Sequence, residues 1–103
     1  IVLTGVFFDD TAVGAAAYDP AADRVDYALA DRVPGYFHGT GDVFASVLTG
    51  ALVRGSALAD AAGQAAEFVR ACAQRTAAEN LPMREGVDFE PLLGLLIPGK
   101  ETV

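Results

Sequence analysis

The stretch PGYFHGTGDVFASVLTG, residues Pro34–Gly50, decides how this chain is read. Two glycines flank Thr40, Asp42 follows at once, and an apolar pattern then begins. Phe44, Val47, Leu48, Ala51 and Leu52 recur at helical spacing, which predicts a helix from about Asp42 to Arg54. Gly55 is placed to stop that helix, and Arg54 complements its C-terminal end. A serine would start the helix as well as Gly39-Thr40-Gly41-Asp42 does. Glycine has another use there. It lets the backbone approach a ligand closely, and the helix start adds unpaired N–H groups and partial positive charge. Together they make an anion site, typically for phosphate. A carboxylate beside phosphate repels it, unless Asp42 faces the attacking group. Asp42 would then take the proton of a substrate hydroxyl while the loop amides hold the transferring phosphoryl group. The plainer alternative is a turn with a helix cap, which four residues alone do not exclude. No Lys-Ser or Lys-Thr follows as in a Walker loop, and the spacing is not that of a dinucleotide fingerprint.

Upstream, IVLTGVFF (residues 1–8) is a continuous apolar run, interrupted by Thr4 and Gly5, that reads as a strand buried on both faces as in a parallel sheet. AVGAAAYD and RVDYALA flank PAAD and read as a hairpin. In the second arm Val25, Tyr27 and Leu29 alternate with Arg24, Asp26 and Ala28, so one face is wet. Downstream, Ser56 can cap a second helix over about 57–79. Its apolar face carries Leu58, Ala62, Ala65, Val69 and Cys72, with Glu67, Arg70, Gln74 and Arg75 towards water. GVDF reads as a short strand or an extended link. Pro91 suits the first turn of a last helix, PLLGLLI, stopped by Pro98-Gly99. The order of strand, hairpin, glycine loop, two helices and a short end is that of part of an α/β sheet protein.

With 103 residues the chain is one domain or part of one. It is 52% hydrophobic and 20% charged, enough to bury a core, but alanine supplies much of that share and the core is expected to be thin. The net charge of −7 and the scattered Lys and Arg argue against nucleic acid as a partner. Such a protein would bind phosphate through backbone N–H groups and a metal instead of bulk charge. The single cysteine, Cys72, permits no intrachain disulfide, suits a reducing compartment and reads as a small core residue. No signal peptide or membrane span is visible, and a cytoplasmic protein is expected. Ile1 opens the chain in mid-strand without methionine, so a piece of a longer polypeptide is expected.

HGTGDVFASVLTGAL resembles the C-terminal signature of the ribokinase-like carbohydrate and vitamin kinases. The threonine within the glycine turn, the preceding VPGYF and the following VRG look most like the pyridoxamine/pyridoxal kinase branch. The upstream VLTGV, the hairpin and the late GVDFEPLL agree with it. The resemblance covers most of the chain and is most specific over Phe37–Gly55. It implies the C-terminal portion of a three-layer α/β/α fold, with residues 1–103 forming its nucleotide-side part. It implies ATP- and Mg²⁺-dependent transfer of a phosphoryl group to the 5′-hydroxyl of a B6 vitamer, by a homodimer in the full-length protein. Asp42 would be the catalytic base, and Gly39, Thr40 and Gly41 the anion hole. Thr4 and Gly5 would lie near the nucleotide phosphates. The family's acidic Mg²⁺-associated motif and most of its vitamer pocket have no counterpart here, so no metal ligand is assigned and this chain alone should be inactive. The competing readings are a ribokinase-type sugar or nucleoside kinase and, from another class, a non-catalytic binding or oligomerisation domain. Hydroxymethylpyrimidine kinases usually carry Cys where this chain has Asp42 and rank lower.

Other residues admit blander readings. His38, the only histidine, could contact a phosphate but more often such a residue packs locally. Asp9-Asp10, the hairpin acids and Arg84-Glu85 read as solvated surface. Tyr18, Tyr27 and Tyr36 could stack on adenine, with nothing to choose among them.

Overall fold

A computed structural model describes residues 1–7, 9–33, 39–79 and 86–97. The elements run β1 (Val2–Val6), β2 (Ala12–Asp19), β3 (Arg24–Asp31), α1 (Thr40–Val53), α2 (Leu58–Glu79) and a 3-10 helix (Glu90–Leu96). Pro34–His38 and residues 80–85 lie outside the described residues, and with them His38, Tyr36 and Arg84-Glu85.

The predicted hairpin is β2 and β3, paired antiparallel from Ala12↔Asp31 to Asp19↔Arg24. Its connection is built by local side chains. The Asp19 carboxylate accepts the N–H of Ala21 at 3.0 Å, and the Tyr18 hydroxyl donates to Asp23 at 3.1 Å. β1 pairs with the far side of β2, giving the order β1-β2-β3. The register slips between Thr4 and Val6, and the extra residue is Gly5, whose φ of 72° only glycine adopts freely.

Among the described residues β1 has no parallel neighbour and is not buried on both faces. It runs antiparallel to β2, and Leu3 is 65% exposed. The alternation of β3 also resolves differently from the expectation. Val25, Tyr27 and Leu29 point outwards, while Ala28 packs against the core. The cause is steric. α2 lies over β2 and β3, and it comes close because small side chains meet there: Ala15 of the sheet shares one core cluster with Ala65 and Ala66 of the helix. Larger side chains on that face would push the helix away, so they occupy the other.

α1 packs along α2, and Phe44, Val47, Phe68, Cys72 and Val87 complete the core. α2 ties down the segment that follows it. The buried Thr76 hydroxyl donates to the Cys72 carbonyl at 2.7 Å and accepts the Asp88 N–H at 2.8 Å. Arg75 adds an ion pair with Asp88 at 3.5 Å. GVDF is an extended link, not a strand, and the last helix is 3-10 in form. No helix among the described residues is long and apolar enough to cross a membrane.

Candidate functional site

Antiparallel pairing brings the end of β1, the start of β2 and the end of β3 to one edge of the sheet. The start of α1 stands over that edge. Between them lies a cavity of about 390 Å³ whose walls include Thr4, Gly5, Asp31, Arg32, Thr40 and Gly41. The two segments singled out in the sequence, 36 positions apart, thus face one space. The remaining wall is largely apolar and comes from Val13, Ala30, Val33, Phe44, Ala66 and Val69.

Asp42 and Gly39 face elsewhere. They line a second cavity of about 470 Å³ with Val43, Ser46, Phe68, Val87 and Leu93. The division follows from helical geometry, since residues 39, 42, 43 and 46 share one stripe and 40, 41 and 44 another. The turn between the cavities has its own chemistry. Gly39 is the N-cap at φ 83° and offers no side chain to cap the helix. The first intrahelical bond is from the Val43 N–H to the Gly39 carbonyl at 3.1 Å. Helix geometry leaves the N–H groups of Thr40, Gly41 and Asp42 without intrahelical acceptors, at the positive end of the dipole.

The two glycines of the turn differ. Gly39 answers to its backbone angle. Gly41 has no such angle, and a Cβ built on it would meet no described atom within 4 Å. It sits in the first turn of a helix, where glycine costs roughly 0.5–1 kcal/mol relative to alanine in an interior position. Nothing described in the chain requires glycine at 41.

Arg70 is the residue that sequence reasoning missed. It was placed towards water, yet it lines the first cavity and its side chain is only 24% exposed. Its Nε donates to Glu67 at 2.8 Å and a terminal nitrogen donates to Gln74 at 2.6 Å. The Glu67 hydrogen bond pushes the guanidinium pKa further up. A signal was present: Ala66, Arg70 and Ala73 form one helical stripe, a single cation between two small core residues. Cys72 is fully buried, and burial pushes its thiol up to about 11.

No group of three or more His, Cys, Asp or Glu among the described residues could hold a metal ion. These residues do not fit a Mg²⁺ site of their own.

The phosphomethylpyrimidine kinase family pattern matches residues 2–87. The chain belongs to that family. Two solved structures share its fold. The pyridoxal kinase from Lactobacillus plantarum is 36% identical with a TM-score of 0.82, over 92% of this chain and 34% of its own. A Bacteroides thetaiotaomicron VPI-5482 protein described as a "putative phosphomethylpyrimidine kinase" is 29% identical with a TM-score of 0.87, over 97% of this chain and 35% of its own. The chain spans about a third of the length of either structure. No match was found among the curated proteins. The α/β class and the partial-fold reading of the sequence agree with these likenesses.

Proposed function

We propose that this phosphomethylpyrimidine kinase family chain forms the nucleotide-side part of an ATP-dependent kinase acting on the 5′-hydroxyl of a B6 vitamer. The observation that carries the reading is the division of the Gly39–Asp42 turn between two cavities. A phosphoryl transferase needs its donor phosphate and its acceptor hydroxyl on opposite sides of one anion-stabilising point. Thr40 and Gly41 face one side with Thr4 and Gly5, and Asp42 faces the other.

In this mechanism the nucleotide lies in the first cavity, its base against the apolar wall and its phosphates at Thr4, Gly5, Thr40 and Gly41. The N–H groups of Thr40, Gly41 and Asp42 hold the charge that develops on the transferring phosphoryl group. Asp42, on the acceptor side, accepts the proton of the attacking hydroxyl. No step is assigned to Mg²⁺, which these residues do not cage. The acceptor assignment rests on the 36% identity to a pyridoxal kinase and on aspartate at position 42. A hydroxymethylpyrimidine acceptor is the second reading, favoured by the family match.

The test is phosphorylation by the full-length protein of pyridoxal, pyridoxamine and hydroxymethylpyrimidine in parallel. Turnover of the vitamers above the pyrimidine is expected, and the reverse order replaces the first reading by the second. Asp42→Asn should lower turnover by about two to four orders of magnitude while sparing ATP affinity, as removal of a general base does. Turnover near that of the parent removes Asp42 from the base role.

A further inference from the structure

We infer that Arg70 is a phosphate-contacting residue of the nucleotide site, presenting the outer N–H groups of its guanidinium to the polyphosphate of a bound nucleoside triphosphate. The inference rests on the kinase reading above and adds to it a residue on α2, away from the glycine turn.

Three observations carry it. The first is position. Arg70 lines the cavity that also holds Thr4, Gly5, Thr40 and Gly41, and it does not line the cavity of Asp42. The second is orientation. Glu67, one turn before, takes the Nε–H at 2.8 Å and a terminal nitrogen at 2.6 Å through the same oxygen, and Gln74, one turn after, takes the other terminal nitrogen at 2.6 Å. The guanidinium is held along the helix from both ends, so little side-chain entropy remains to be lost on binding. The third is hydrogen-bond capacity. Hydrogen bonds take the Nε–H and one N–H of a terminal nitrogen, and the other terminal nitrogen is ion-paired with Glu67, so each terminal nitrogen keeps at least one N–H. Two donors on neighbouring nitrogens of a planar fork match the spacing of phosphate oxygens.

Charge on the cavity wall selects among anions. Asp31 and Arg32 sit together at the end of β3, and Asp31 lies close enough to act electrostatically on Arg70. Arg32 and Arg70 are the cations of the cavity wall, set against Asp31 on the wall and Glu67 beside Arg70, and the positive helix start lines the same cavity. A phosphate chain placed between these cations and the helix start is held from two sides.

The experiment titrates the full-length protein with ATP and with adenosine, for the parent, Arg70→Ala and Arg70→Lys, with thermal unfolding of each. Arg70→Ala should weaken ATP binding by about tenfold or more, as loss of charge-assisted hydrogen bonds does, and leave adenosine binding within about twofold. Arg70→Lys, which keeps charge but not the fork, should fall between. If Arg70→Ala does not unfold cooperatively, Arg70→Lys carries the test through the same ATP-to-adenosine contrast. Equal losses for ATP and adenosine make Arg70 a packing residue and overturn the inference, as does unchanged ATP affinity. A raised acceptor KM with unchanged ATP affinity also overturns it, because Arg70 then serves the acceptor and not the nucleotide. A parent protein that binds no ATP refutes the kinase reading and the inference with it, whereas ATP binding equal in parent and Arg70→Ala rejects the inference alone.

Discussion

Gly14 and Gly41 line the same cavity in opposite surroundings. A Cβ on Gly14 would overlap the carbonyl oxygen of Ala28 on the neighbouring strand, so the chain itself fills that position. A Cβ on Gly41 would meet no described atom within 4 Å. The first glycine is explained by the fold. The second is not explained by the described part of the fold, and under the proposed function an anion held at the helix start explains it. Sequence inspection sees the same letter twice.

The comparison can be broken at either end. Gly14→Ala forces β2 and β3 apart or displaces backbone, and should cost about 3 kcal/mol of stability, at the upper end of overpacking penalties. ATP affinity of the fraction that remains folded should change little. Chemical denaturation with a parallel titration measures both. An unchanged midpoint would mean that the hairpin opens cheaply and that the contrast is empty.

A smaller effect sharpens the comparison on the acceptor side of the turn. Thr76→Val keeps shape and burial but leaves the Asp88 N–H without its partner, at a cost of about 1–3 kcal/mol. The segment around Val87 walls the Asp42 cavity and not the Gly41 cavity. The acceptor KM of the full-length protein should therefore rise, with ATP affinity preserved. Equal loss of both would show that the two cavities are not separate sites.

Much of the framework was legible from spacing alone. Helical recurrence of Phe44, Val47, Leu48 and Ala51 marked α1, and PAAD between two short runs marked the hairpin. The direction of β1 was not legible, because an apolar run states that a strand is buried and not beside which partner. The facing of β3 was not legible because Val25, Tyr27 and Leu29 outweigh alanine on any hydropathy scale, while the contact with α2 selects for smallness. Of the candidate site, the glycine turn was visible as a motif and the Thr4-Gly5 pair only through the family resemblance, and their shared cavity follows from the antiparallel register. Arg70 was hidden because the helical pattern of α2 places it among Glu67 and Gln74, and only the end of the hairpin turns that stripe into a wall.

Gly41→Ala, read for stability and ATP affinity on the same sample of the full-length protein, separates a structural glycine from a phosphate site. Alanine is the better helix former, so thermal stability should hold or rise by the equivalent of up to about 1 kcal/mol, while ATP affinity falls about tenfold as the methyl group enters the path of the phosphates. A protein that loses stability and keeps its ATP affinity would make Gly41 a structural glycine like Gly14 and contradict the phosphate site.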